Sequence, residues 1–253
     1  MKTLSHSVPV VLEHECETFP NKWTVPQLRD REIHVWRQNL ELRPAPVEAF
    51  MSLLSDEERS RAQRFRFEAG RTEFVVSRGT LRALLEAYQG TPAGQLQFAY
   101  SAFGRPRLAE NAGSEAIEFN VSHSAGVTLL AFSRLQKIGI DVEKVRQDFE
   151  SLEISENYFS PSERAVLRNL PPDMRHEAFF RCWTRKEAFI KALGEGLSHP
   201  LDAFDVSLAP GEPAALLATR PDAREAVGWT LRDLAVPNGY VAALAVQLQI
   251  PLA

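Results

Sequence analysis

The chain has 253 residues, 44% hydrophobic and 25% charged, with a formal net charge of −4. This is the balance of an ordinary soluble globular protein, long enough for one large domain or two lobes. It excludes bulk attraction to nucleic acid or an anionic membrane, and no apolar run is long enough to span a bilayer. Pro9 interrupts the short apolar patch near the start, which makes a poor signal peptide. Two cysteines, Cys16 and Cys182, cannot build a disulfide framework, so a reducing cytoplasm is expected.

Residues 1–30, with Pro9, Pro20 and Pro26, read as an irregular lead-in. Ile33-His34-Val35-Trp36 alternates like a strand, which Pro44 and Pro46 end. Ser55 followed by Asp56-Glu57-Glu58 is an N-cap with acids in the first turn, opening a helix. A second helix over 71–88 has Phe74, Leu81, Leu84 and Leu85 as its apolar side, leaves Arg78 and Arg82 exposed or half-exposed, and stops at Gly90. Seven arginines, Arg59 to Arg82, make this the one strongly basic region. A solvated helical surface is its plain reading. A phosphate site is the functional one, because guanidinium matches phosphate bidentately. The interleaved Phe65, Phe67 and Phe74 read as core rather than as nucleic-acid stacking residues.

A short strand at 98–100 leads to the cationic turn Phe103-Gly104-Arg105-Pro106-Arg107-Leu108, and the small, polar stretch 109–116 reads as a linker between lobes. Ile117-Glu118-Phe119-Asn120-Val121 is a strand, with Ser122-His123-Ser124 in the loop after it. Residues 127–133 form a nearly continuous apolar run, expected of a buried central strand. In Ile138-Gly139-Ile140-Asp141-Val142-Glu143 the aliphatic residues face one side and Gly139, Asp141 and Glu143 the other. Helices follow at 151–157 and from Ser160-Pro161-Ser162-Glu163, a capping-box start. Over 179–193, Phe179, Cys182, Trp183, Phe189, Ile190 and Leu193 share one helical arc, ended by Gly194-Glu195-Gly196. Lys186 projects from within that arc and is expected to snorkel outward, while Glu187 and Lys191 are i, i+4 surface neighbours. Pro237-Asn238-Gly239 joins two strands as a hairpin.

Two carboxylates on one strand face repel unless a cation lies between them, and Mg²⁺ takes oxygen ligands while keeping waters that substrate phosphates replace. Asp141, Glu143 and Glu187 therefore form a candidate metal–phosphate site, with arginines, His123 and Lys191 for phosphates.

Gly104-Arg105-Pro106, Phe119-Asn120-Val121-Ser122-His123-Ser124, Ile138-Gly139-Ile140-Asp141-Val142-Glu143 and Trp183-Thr184-Arg185-Lys186-Glu187 with Lys191 come in the order and approximate spacing of one family. Together they resemble the 4′-phosphopantetheinyl transferases, and most the long, two-lobed, surfactin-synthetase-activating type. The resemblance implies an α+β pseudo-dimer of two similar lobes, divided here as 1–113 and 114–253, with coenzyme A in the cleft between them. It implies Mg²⁺-dependent transfer of the 4′-phosphopantetheine arm of coenzyme A to a serine of an apo acyl or peptidyl carrier protein, releasing adenosine 3′,5′-bisphosphate. Asp141, Glu143 and Glu187 match the metal-binding acids, Glu187 also the general base, and Lys191 the lysine that neutralises the transferring phosphate. Ser122 and His123 match coenzyme A phosphate contacts, His123 at the 3′-phosphate, and Arg61, Arg64 and Arg71 fall where the family has nucleotide-phosphate cations. Arg105 stands where the family's turn usually has lysine. One chain would supply both cleft walls, so a monomer is expected. The competing readings are a metal-dependent phosphodiesterase or phosphatase, and a basic nucleic-acid-binding module on the arginine-rich helices.

Overall fold

The computed structural model describes residues 8–16, 23–40, 46–109, 116–148 and 150–248. The expected boundary at 113/114 and most of the expected linker lie outside them.

The first half builds a sheet and a long helix. Strand β1 (Val10–Glu15) pairs in parallel with β2 (Glu32–Asn39), and β5 (Glu118–Ser124) and β6 (Val127–Ser133) complete a sheet of order β1-β2-β6-β5. Strand β1 corrects the expected irregular lead-in: its backbone groups are satisfied by β2, which Pro9, lying just before it, does not obstruct. Every residue of β6 is buried, as expected of the central strand. Short helices α1 (Val47–Leu53) and α2 (Asp56–Gln63) precede α3 (Glu68–Gln89), and β3 (Phe98–Tyr100) pairs with β4 (Pro106–Leu108). Helix α1 was not expected, because Pro46 reads as a terminator; it is in fact the N-cap residue.

The second half repeats the plan. Strand β7 (Ile138–Lys144) is followed by α4 (Ser151–Tyr158), α5 (Pro161–Asn169) and α6 (Pro172–Leu193), then a small pair, β8 (Phe204–Val206) and β9 (Leu216–Thr219). The β10 (Trp229–Asp233) and β11 (Tyr240–Gln247) hairpin closes a sheet of order β10-β11-β7. At its turn Gly239 takes a positive φ of 84°.

Strand alternation sorts the core into layers. Ile33 and Val35 of β2, Leu129 and Ala131 of β6, Ile138, Ile140 and Val142 of β7 and Leu244 of β11 form one cluster between the two sheets. Trp36, Leu130 and Phe132, on the opposite face of the first sheet, pack against Leu81, Leu84 and Leu85 of α3. On the outer face of the second sheet Ala243 and Ala245 join the α6 cluster of Phe179, Phe189 and Ile190. The order is helix, sheet, sheet, helix. Close approach of α6 demands Gly139: a Cβ there would stand 2.0 Å from the carbonyl oxygen of Ala188.

The two halves share one anchoring device. Ser55 and Glu58 form a capping box on α2, and Ser160 and Glu163 form another on α5. Glu58 receives Arg82 Nε of α3 at 2.6 Å, and Glu163 receives Lys186 Nζ of α6 at 2.8 Å. Arg82 and Lys186 each lie eight residues before the left-handed glycine that ends their 22-residue helix, Gly90 or Gly194. Each also donates to two carbonyls three residues apart beyond its helix, Ala93 and Leu96 or Leu201 and Phe204. Arg82 at 2% and Lys186 at 0% exposure overturn the expectations of a half-exposed arginine and a snorkelling lysine. A cation with a carboxylate and carbonyl partners tolerates burial that a lone one does not.

Two further expectations change. Ser122, His123 and Ser124 belong to β5, not to a loop; the turn is Ala125-Gly126, both with positive φ. Phe65 and Phe67 are exposed rather than core, at 38% and 68%, whereas Phe74 packs partly against the α1–α3 cluster. Because β5 and β6 bond into the first sheet, we propose that the halves divide between β6 and β7.

Candidate active site

The site grows from the seam where β5 meets the edge of β7. Among the described residues that edge has N–H groups that no strand pairs, and alternate polar side chains of β5 accept them: Ile140 N donates to Asn120 Oδ1 at 2.9 Å, Val142 N to Ser122 Oγ at 3.3 Å and Lys144 N to Ser124 Oγ at 3.2 Å. This period-two pattern explains why Asn120, Ser122 and Ser124 alternate along β5.

The same two hydroxyls hold the acids. Ser122 donates to Asp141 Oδ1 at 2.8 Å, and Ser124 donates to Glu143 Oε2 at 3.0 Å. One hydroxyl hydrogen and two lone pairs suffice for Ser122 to accept Val142 N and Lys191 Nζ as well, the latter at 3.0 Å. Lys191 also reaches Asp141 Oδ1 at 2.7 Å. Its partner is thus the strand acid rather than Glu187. Asp141 is 3% exposed, and its Oδ2 is buried with no hydrogen-bond partner among the described residues.

Burial holds the carboxyl of Glu187 above its ordinary range, helped by the charges of Asp141 and Glu143 and opposed by Lys191. Burial raises Glu143 in the same way, followed by Asp141, against Ser124, Lys191 and Arg146. All three acids therefore lie in one another's field. They offer hard oxygen donors with a surplus of negative charge, and Asp141 has an unused buried oxygen, so a divalent cation fits the donor set. Among the described residues no group of three or more His, Cys, Asp or Glu side chains is assembled as a ready-made metal cage.

Two cavities flank these acids. One, of about 570 Å³, is lined by Phe103, Gly104, Arg105, Asn120, Glu187 and Lys191. The other, of about 750 Å³, has Glu143 and Arg146 at one side and Tyr158, Phe179 and Trp183 as apolar wall.

The predicted cations divide. Arg105 donates to the carbonyls of Lys191 at 2.8 Å and Ala192 at 3.3 Å, and to Ile138 at 3.3 Å, so it caps the last turn of α6 where it borders the cavity. Burial lowers its pKa, with Glu118 opposing. His123, half exposed, places Nδ1 3.3 Å from Glu73 of α3. Arg61 stacks on Phe74 at 5.1 Å, Arg64 is exposed at the end of α2, and Arg71 pairs with Glu68 at 3.4 Å. Among the described residues none of these three joins the hydrogen bonds around Asp141. Sequence reasoning missed Glu73, whose signal was only an acid amid arginines, and did not give Ser124 a role, although its period-two relation to Ser122 could have done so.

Residues 137–245 match the family model described as 4′-phosphopantetheinyl transferase superfamily, and residues 42–134 match 4′-phosphopantetheinyl transferase, N-terminal. The 4′-phosphopantetheinyl transferase HetI of Nostoc sp. is 36% identical over 215 residues, 85% of this chain and 87% of that protein. The 4′-phosphopantetheinyl transferase Sfp of Bacillus subtilis is 33% identical over 161 residues, 64% of this chain and 69% of that protein.

Proposed function

The chain belongs to the 4′-phosphopantetheinyl transferase family, and on that premise we propose that it transfers the phosphopantetheine arm of coenzyme A to a serine of an apo acyl or peptidyl carrier protein. The observation that carries this reading is the join of Lys191, Ser122 and Asp141 beside Glu143 and Glu187, between two cavities. The relatives are transferases, and the phosphodiesterase alternative finds no support among them.

In this reading the carrier serine oxygen attacks the phosphorus bearing the pantetheine arm. The bond to the bridging oxygen breaks, and adenosine 3′,5′-bisphosphate leaves. Glu187 takes the serine proton, directly or through a water. Lys191 neutralises charge on the transferring phosphoryl group, and Ser122 keeps its ammonium aligned. Asp141, Glu143 and Glu187 would hold Mg²⁺, which when bound supplies charge neutralisation at the pyrophosphate oxygens. Arg105 shapes the cavity wall on the side we assign to the nucleotide, and His123, Arg61, Arg64 and Arg71 meet its phosphates. The aromatic cavity on the other side of Glu143 leaves room for the acceptor. One chain supplies both walls, so a cytoplasmic monomer suffices.

The test is product analysis. With coenzyme A, Mg²⁺ and an apo carrier, adenosine 3′,5′-bisphosphate should accumulate mole for mole with modified carrier and not with a carrier whose acceptor serine is alanine. Nucleotide release that ignores the carrier would sink the proposal.

A further inference from the structure

Helix α3 reaches the tip of the β5–β6 hairpin through one acid. Glu73 Oε1 accepts the Gly126 N–H at 2.9 Å, and Glu73 Oε2 lies 3.3 Å from His123 Nδ1. Those two bonds, the His123 bond first, hold its carboxyl below the ordinary range against the opposing effect of burial. The tip is pinned from the other half as well, since Tyr240 of β11 donates to the Ala125 carbonyl at 2.7 Å. Next along β5, Ser124 holds Glu143. The hairpin tip is thus fixed between the helix of one half and the acids of the other, and Glu73 is the α3 side of that clamp.

A carboxylate at Nδ1 sets which face and which nitrogen a histidine presents. With Nδ1 set 3.3 Å from Glu73 Oε2, the other ring nitrogen, Nε2, is the one left to present, on a side chain that stays 49% exposed. We infer that Glu73 is a positioning residue: it orients His123, and with it the hairpin tip, so that Nε2 meets a phosphate of the bound nucleotide. This rests on the transferase reading above, in which His123 meets the 3′-phosphate of coenzyme A. Glu73 does not touch the substrate. It acts by fixing tautomer and ring orientation.

The experiment compares wild type with Glu73→Gln on coenzyme A and on 3′-dephospho-coenzyme A, with an apo carrier as acceptor. Glutamine keeps the size and one acceptor but loses the charge and the second acceptor. The KM for coenzyme A should rise about tenfold, the order expected from losing one charge-assisted hydrogen bond. The KM for the dephospho form should stay within twofold. The loss should fall on KM rather than kcat. Binding of adenosine 3′,5′-bisphosphate by calorimetry should weaken in parallel. His123→Ala should show the same selective loss, and the double variant should lose little more than either single one. Equal shifts on both substrates, no shift on either, or additive losses in the double variant would overturn the role of Glu73 while leaving the transferase reading intact. A wild type that transfers nothing and binds no adenosine 3′,5′-bisphosphate would overturn both.

Discussion

The two long helices show how one scaffold serves two ends. In both halves a serine-capped short helix offers a buried glutamate to a cation of the long helix, which also ties down the segment beyond a left-handed glycine. What differs is the face that the neighbouring strand turns toward the helix. On β2, Trp36 packs on Leu81, Leu84 and Leu85, His34 Nδ1 lies 2.7 Å from Tyr88 Oη, and Gln38 accepts from Thr80 at 2.9 Å. On β7 the corresponding face bears Gly139, Asp141 and Glu143, with Lys191 and Glu187 on the helix above. The first half fills its helix–sheet gap with rings and with uncharged polar groups that pair across it, His34 with Tyr88 and Gln38 with Thr80. The second leaves a surplus of negative charge there. The comparison teaches that the anchor is shared architecture, whereas the chemistry rests on which strand face is left unneutralised.

Breaking the second half's chemistry should give the largest effect. Glu187→Gln should lower the transfer rate by about a thousandfold, the order expected for losing a general base. It should also raise the Tm of the metal-free protein by about 2–4 °C, because it removes one of three mutually repelling carboxylates. Steady-state rates and a thermal scan check both, and a lower Tm would contradict the charge-surplus account. Breaking the anchor should instead cost stability in either half. Lys186→Met should lose about 3–5 kcal/mol in urea unfolding, because it leaves Glu163 buried without its ion, and Arg82→Met should lose less, because Arg78 Nε still stands 3.5 Å from Glu58. Neutralising the partner too, by adding Glu163→Gln or Glu58→Gln, should recover part of that. If only one half responded, the two anchors would not be equivalent.

A smaller effect separates the halves by pH. His14 and His34 lie against each other and Trp36 in the first half, and burial holds both below the ordinary histidine value, with Glu32 opposing at His34. A depressed histidine contributes stability that is present above about pH 6.5 and lost as the pH falls through its folded value. The urea midpoint should therefore fall between about pH 7.5 and about pH 5.5, and His14→Gln/His34→Gln should flatten that slope.

Much of this was legible in the residues. The alternation in 138–143 names the outward acids because β7 has the inter-sheet core on one side only, and the arc of α6 names its buried face. Both capping boxes stand in the sequence as Ser-x-x-Glu. What failed to read out is polar burial. Arg82 and Lys186 look like surface cations because their partners, Glu58 and Glu163, lie more than twenty residues upstream on another helix. Ser122-His123-Ser124 looks like a loop because Ser122 and Ser124 serve the edge of a neighbouring strand and His123 faces Glu73, so none of the three joins an apolar core. Strand β1 was hidden by Pro9, a terminator only when its missing N–H is needed. Phe65 and Phe67 read as core from their rings alone, yet α1 and α3 close their contact around Phe50, Val75 and Val76 without them. The repeat came from the family resemblance and not from the residues themselves, because it is carried by the spacing of serine, glutamate, cation and glycine, not by identity between the halves.

The most direct test of the central claim, that the unneutralised face around Asp141 performs the transfer, is intact-mass spectrometry of an apo carrier after incubation with coenzyme A and Mg²⁺. Wild type should add the mass of one phosphopantetheine arm, and the gain should vanish with EDTA and with a folded Asp141→Ala variant. An undiminished gain with Asp141→Ala, or no gain by wild type on carriers that a known transferase modifies, would contradict it.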